Sequence, residues 1–284
     1  MQQHVAIATL ASPARRCRVS GHFGELLQGR LGASGPVVLV TLPCSALSVE
    51  AQWAPGEDCS LDPGTTPVLT QEQVAGLFHS LRGEAPRGRL RLRADMPPGG
   101  GAGASTAALL ATLRCLADAP MGPGAEAAAC LSLEGATDPL MLPHPGRVLW
   151  APRAARAITT LAPLPAFDVL GGFAGAGLRT DPEDMRFADI SDLLRAWRGV
   201  SDRETLAALC SESARRNHAL RGGPDPAPLV EAGRALGALG IAVAHTGTAQ
   251  ALLFRPGEAP DDGGDLLRSM GLSDIVAFRS QDAS

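Results

Sequence analysis

Residues 96–113 read MPPGGGAGASTAALLATL, and the reading of this stretch decides the fold. Two prolines lead into Gly99–Gly103, where four of five residues are glycine, followed by the hydroxyl pair Ser105–Thr106 and a run of alanine and leucine. Leu109, Leu110, Leu113 and Leu116 fall on one helical face, so a helix starts near Ala104 or Ser105. Glycine allows backbone conformations that a Cβ forbids, and neighbouring N–H groups can then turn inward around an anion. The free N–H groups and positive end of the following helix would face the same anion. One reading is therefore a phosphate cradle, with Ser105 and Thr106 placed to cap the helix or to bind Mg²⁺. The other is a flexible loop ahead of an ordinary Ser/Thr cap. The all-glycine GxGxxG spacing is not met, because the position five after Gly99 is Ala104, so a dinucleotide fold gains nothing from this loop.

Working outward, RLRLRAD (89–95) alternates at period two and reads as a strand entering the loop, and TQEQVAGLFHSLRG (70–83) reads as a helix with Val74, Leu77, Phe78 and Leu81 on one stripe. Pro55–Pro67 reads as a loop. Nearer the N-terminus, Cys17–Val19 and Pro36–Pro43 read as strands flanking SGHFGELLQGR, with SALSVEAQW continuing the alternation. Downstream, AEAAACLSLEG forms a second short helix, and Leu161–Pro165 reads as a hinge. Beyond it come a strand at FDVLGGF, helices at DISDLLRAWRG, at ETLAALCSESARRNHAL and after Pro226, strands at IAVAHTG and AQALLF, and a final helix–strand pair. Strands and helices interleave in both halves, which predicts an α+β protein of two domains, 1–160 and 161–284.

Composition narrows the chemistry. The 284 residues are 45% hydrophobic with a formal net charge of −4, enough for a substantial core and without the basic clusters that polymer phosphate binding requires. No nucleic-acid partner is expected. The sequence contains no lysine, which removes the P-loop, protein-kinase and pyridoxal mechanisms, each of which depends on one. The six cysteines lie far apart without a CxxC pair and read as free thiols. The apolar stretch VAIATLA has no basic residue before it and arginines after it, the wrong order for a secretory signal, and no apolar run approaches the ~18 residues of a membrane span. A cytoplasmic protein with no membrane partner is the expectation.

PxxxGAGAST, with Pro97, Gly101, Gly103, Ser105 and Thr106, resembles the second motif of the GHMP kinases, P-x-x-x-G-L-G-S-S, which wraps the phosphates of ATP. SGHFGELLQG (20–29) resembles their first motif, and AHTGTAQALLF (244–254) the third, in the expected order. Within that family the G-E-L-L-Q-G, S-L-E-G-A-T-D and A-H-T-G-T segments look most like the L-threonine kinases of cobalamin biosynthesis and propanediol utilisation. The resemblance implies the two-domain GHMP fold, with an N-terminal domain like ribosomal protein S5 domain 2 and a C-terminal ferredoxin-like domain. ATP and Mg²⁺ would bind in the cleft between them, and the protein would be a monomer or homodimer. It departs from the pattern at Ala104, where the first motif serine would stand.

By that resemblance Asp138 is the candidate base for the attacking hydroxyl, Ser105 acts at the phosphates and Mg²⁺, and Glu134 is a second metal ligand. The nucleotide would be held by Pro97, Gly99, Gly100, Gly101, Ala102, Gly103, Ala104, Ser105 and Thr106 and by Thr246, Gly247 and Thr248. Ser20, Glu25 and Gln28 would border the acceptor, a carboxylate there suiting an ammonium group. Each position also has an ordinary reading. Asp138 ahead of Pro139 can cap a helix, Glu25 can be a strand-end surface residue, 246–248 can be a tight turn, and His245 reads as a structural histidine. The acceptor is L-threonine on this view, with homoserine or another small alcohol as alternative. Two other classes stay open. A nucleotide-binding regulator would keep the cradle without turnover. A hydrolase could use Ser105, Asp138 or Asp168, and His245 in that chain order, although PPGGGAG between Met96 and Ala104 argues against a nucleophile elbow.

Overall fold

The computed structural model describes residues 14–57, 59–82, 88–178, 181–200 and 202–280, so the VAIATLA stretch lies outside the described residues. In chain order the elements are β1 (Arg15–Arg30), β2 (Val37–Pro55), β3 (Cys59–Asp62), α1 (Gln71–Arg82), β4 (Gly88–Ala94), α2 (Ala104–Leu116), α3 (Pro123–Glu134), β5 (Val148–Ala151), β6 (Arg156–Thr160), β7 (Asp168–Ala174), α4 (Ser191–Arg198), α5 (Arg203–Arg221), α6 (Ala227–Ala235), β8 (Gly240–Val243), β9 (Ala249–Phe254), α7 (Gly263–Ser269) and β10 (Leu272–Arg279). The strands join in the order β10-β7-β9-β8-β1-β2-β4-β3, with β5 on β2 and β6 on β5. The first and last parts of the chain meet where β1 pairs with β8 through Glu25 and Val243.

Helix α2 is alanine- and leucine-rich all round because it is buried almost all round, from Ala104 through Leu116, against β1 and β2. Its N-cap is Gly103 with φ 73°, and no side chain caps it. The expectation that Ser105 or Thr106 caps the helix is therefore not met. Both lie inside the first turn, where their hydroxyls are available to partners elsewhere.

Two other readings are corrected. SGHFGELLQGR is not a connection between strands, since β1 runs through it, with register shifts after Ser20, His22 and Glu25. Its inner half is buried on both faces, so no polar–apolar alternation marks it. The Pro55–Pro67 loop contains β3, which pairs in parallel with β4.

A large apolar cluster spans β1, β2, β4, α2 and the facing parts of β7 and β9, and a smaller one lies beneath α6 and α7 around Leu229, Leu252, Phe254 and Leu267. Among the described residues Cys17, Cys44, Cys115, Cys130 and Cys210 are free, and burial pushes the Cys44 thiol up to about 11 and those of Cys115 and Cys130 up to about 12. No helix among the described residues is long and apolar enough to cross a membrane.

Candidate active site

The glycine loop is clamped by its carbonyls. Gly99 O accepts from Leu178 N–H (2.9 Å), Gly100 O from Thr248 and Ala249 N–H (2.9 and 2.8 Å), Gly101 O from Gly24 N–H (3.0 Å) and Ala102 O from His22 N–H (3.1 Å). With its carbonyls turned toward β1 and the β8–β9 turn, the loop has free amides. Those of Gly101 and Gly103, which line the cleft, meet no acceptor among the described residues. Gly101 and Gly247 touch closely enough that a Cβ on either would collide with the other segment. The loop, the first motif and the 246–248 turn thus form one rigid crossing beneath a cleft of about 610 Å³.

Asp138 faces this cleft from the chain leaving α3. Its segment is pinned to β5 and the residues after it, Thr137 N–H donating to Pro152 O (3.0 Å) and the Trp150 indole N–H to Thr137 O (2.6 Å). The Thr106 hydroxyl lies 3.4 Å from Asp138 Oδ2 and accepts the Asp138 N–H at 3.3 Å. Only a turn follows Asp138, so the helix-cap reading finds no helix to cap. One turn before, at the end of α3, the Glu134 carboxylate accepts the Ser105 hydroxyl. A carboxylate at a helix C-terminus is unfavourably placed against the dipole and is a natural partner for a cation.

His22 completes the cluster. Its ring is 2% exposed, with Nδ1 3.2 Å from Gly24 O and Nε2 3.3 Å from Asp138 Oδ2. A carbonyl only accepts, so Nδ1 carries a proton, and Nε2 facing a carboxylate favours a second. Burial disfavours the imidazolium, but Asp138, then Glu25 and the Gly24 carbonyl outweigh it and raise the pKa to about 9. Because the folded pKa lies above the unfolded one, this pair's stabilisation is complete below about pH 6.5 and fades as pH rises toward 9, a linkage of at most about 3 kcal/mol. Denaturant titrations across this range should show stability falling with pH, and His22→Gln should flatten the profile between about pH 6.5 and 8, below the onset of thiol ionisation in the unfolded chain. An unchanged slope in His22→Gln would remove the ion pair from the account.

A second buried network lies behind the first. Glu25, 4% exposed, accepts the His245 backbone N–H at 3.0 Å and sits 3.5 Å from His245 Nδ1. His245 Nε2 is 3.2 Å from the Ser213 hydroxyl on α5, which accepts the Gln28 N–H at 3.1 Å. Serine, histidine and glutamate meet here in the order of a nucleophilic triad, yet Ser213 is 1% exposed and does not line the cleft, which makes the set a structural tie across β1, α5 and the β8–β9 turn. The hydrolase grouping of Ser105, Asp138 or Asp168 with His245 is not formed. Ser105 bonds Glu134, His245 bonds Ser213, and Asp168 is held by Arg279 and Gly257.

Of the sequence candidates, Gly99, Gly101, Gly103, Ala104, Ser105, Thr106, Glu134, Asp138, Glu25, Gln28 and Thr246 line the cleft. Pro97, Gly100 and Ala102 shape the loop from behind, and Gly247 and Thr248 brace it through the contacts above. Ser20 is corrected. It is exposed, pairs with Ser48 across β1 and β2, and lies outside the cleft, because the bulge after it turns the strand and leaves His22 and Glu25 as the residues facing inward. Among the lining residues that the sequence does not point to, His22 and Arg153 carry charge.

No protein-family model and no curated protein sequence matches the chain. Solved structures do match. Mevalonate kinase from methicillin-resistant Staphylococcus aureus MRSA252 superposes with a TM-score of 0.63 at 16% identity over 94% of this chain and 99% of that one. A candidate homoserine kinase from Listeria monocytogenes gives 0.63 at 15% over 94% and 95%, and mevalonate pyrophosphate decarboxylase from Streptococcus pyogenes gives 0.63 at 12% over 96% and 98%. Across nearly its whole length the chain has the two-domain α+β fold of the GHMP kinases.

Proposed function

We propose that this chain is an ATP- and Mg²⁺-dependent kinase that phosphorylates the hydroxyl of L-threonine, giving O-phospho-L-threonine for cobalamin synthesis. Residues 1–160 would supply the phosphate loop and 161–284 the turn that closes on it. The observation that carries the reading is Asp138, 3.3 Å from a buried cationic His22, in the same cleft as the free amides of Gly101 and Gly103.

The residues fit the groups they would hold. Orphaned glycine amides and the open first turn of α2 suit phosphate oxygens. Ser105 and Glu134 offer two hard oxygen ligands. That matches Mg²⁺, which keeps several waters and takes one or two carboxylates beside the phosphates. Mg²⁺–ATP would supply the phosphoryl group and neutralise its oxygens. Asp138 orients the acceptor hydroxyl and takes its proton at Oδ1, since Oδ2 already faces His22 and Thr106. His22 and the Thr106 hydroxyl both meet Oδ2 and fix that carboxylate in direction. Glu25 and Gln28, whose side-chain Oε1 is buried without a partner, present acceptors to an ammonium group.

Coupled ADP detection over a panel of hydroxy amino acids, sugars and mevalonate tests the reading. L-Threonine is expected to give the highest kcat/KM, with homoserine next, since one methylene changes selectivity by only about 1–3 kcal/mol. Preference for a sugar or an isoprenoid acid would overturn it.

A further inference from the structure

We infer that Arg153 is the receptor for the acceptor's carboxylate, and so the residue that restricts this cleft to α-amino acids. The inference rests on the kinase reading above and goes beyond it by giving the acceptor's negative end a partner.

Among the described residues, Arg153 is the one arginine lining the cleft. Among the described residues its guanidinium donates to backbone carbonyls only, from Nε to Pro182 O and from Nη2 to Asp184 O (2.7 Å) and Asp181 O (3.5 Å). Among the described residues no carboxylate lies within ion-pair distance of it. The nearby Asp184 carboxylate is already shared by Arg186 and Arg221, each at 3.0 Å. Burial lowers the pKa of Arg153, and only the more distant charges of Asp184, Glu183 and Asp181 act against that. A half-buried cation satisfied only by neutral oxygens is costly, and an incoming carboxylate offsets the cost with charge-assisted hydrogen bonds in the geometry a guanidinium provides.

Its position suits that task. The guanidinium lies over the Phe187 ring (5.5 Å to the centroid), which Arg221 covers more closely at 4.3 Å, so its direction is fixed by packing. Pro152 O accepts the Thr137 N–H at 3.0 Å, so Arg153 and Asp138 each follow directly on one residue of a hydrogen-bonded pair. A β-hydroxy α-amino acid carries its carboxylate and hydroxyl on adjacent carbons, which requires the receptor for one to stand beside the proton acceptor for the other. The rival role for the same guanidinium is to neutralise the transferred phosphoryl group.

Kinetics with L-threonine and with 1-amino-2-propanol, which keeps the hydroxyl and ammonium but lacks the carboxylate, separate these roles. Arg153→Met is expected to lower kcat/KM for L-threonine by about 10- to 100-fold, chiefly through KM, while 1-amino-2-propanol and ATP are handled as by the wild type. Arg153→Lys, which keeps the charge and guards against a folding defect, should recover part of the loss. Calorimetric titration with L-threonine should show the same weakening without turnover. Equal losses on both acceptors would overturn the inference in favour of the phosphoryl role and leave the kinase reading standing. An unchanged L-threonine kcat/KM in Arg153→Met would overturn it outright. A wild-type enzyme that phosphorylates sugars and no amino acid would remove the reading and the inference together.

Discussion

Asp138→Asn is expected to lower kcat by about 10²-fold or more, the scale of a lost general base, while ATP affinity changes little. The amide keeps the shape of the carboxylate and can still meet the Thr106 hydroxyl and backbone, so the cleft keeps its form. What disappears is the group that accepts the hydroxyl proton, together with the anion facing His22 at 3.3 Å. Without that anion the buried imidazole loses its main reason for staying charged and sheds its proton. The stability cost should therefore be roughly 1–3 kcal/mol, below that of a stranded buried charge, and greatest below about pH 6.5, where wild-type His22 is fully cationic. Steady-state kinetics with ATP and acceptor varied separately, beside melts at acidic and alkaline pH, check both halves. A wild-type kcat would show that Asp138 serves only as the structural partner of His22 and Thr106, with the proton leaving by another route.

How much of this site could be read from the sequence depended on whether its parts are local. The glycine loop and α2 announce themselves, because four glycines ahead of a leucine stripe leave few physical options. The Ser105–Glu134 and Thr106–Asp138 contacts join the first turn of one helix to the end and exit of the next, and both segments carried recognisable motifs. His22 was visible in SGHFGELLQG only as a letter. Its charge is favoured by Asp138, which the fold brings from beyond three helices, and nothing near His22 in the chain signals it. Arg153 lies in a proline-rich stretch without helical or strand periodicity, where β5 and β6 are too short to impose a pattern. Ser20 was misplaced for the opposite reason. It sits within the motif, but the bulge following it, which the sequence does not mark, leaves it on the solvent side. The fold class was legible since it needs only the order of elements, whereas the electrostatics of the site needed the register shifts of β1.

Gly101→Ala is expected to be the most damaging conservative change in the loop. Gly101 has φ 77°, and a Cβ there would lie 2.2 Å from Ala244 Cβ and 3.3 Å from Gly247 Cα. The left-handed backbone alone costs an alanine about 1–2 kcal/mol, and forcing a methyl into filled space adds about 1–3 kcal/mol. The sum, roughly 2–5 kcal/mol, should lower the melting temperature by about 2–4 °C for each kcal/mol. Gly32→Ala provides the control, since Gly32 has the same φ of 77° with nothing within 4 Å of an added Cβ. The difference between the two variants therefore isolates the close approach of the phosphate loop to the β8–β9 turn from the shared backbone term. Function should diverge further than stability. If Gly101→Ala remains folded, it can do so only by moving the loop off Ala244, which pulls Gly101 O from Gly24 and turns the free amides away from the cleft. ADP affinity measured by calorimetry should then fall in Gly101→Ala and stay at the wild-type value in Gly32→Ala. Matching melting temperatures and matching ADP affinities for the two variants would mean that the loop does not rest on the turn, and the clamped-carbonyl account of the cradle would fail with it.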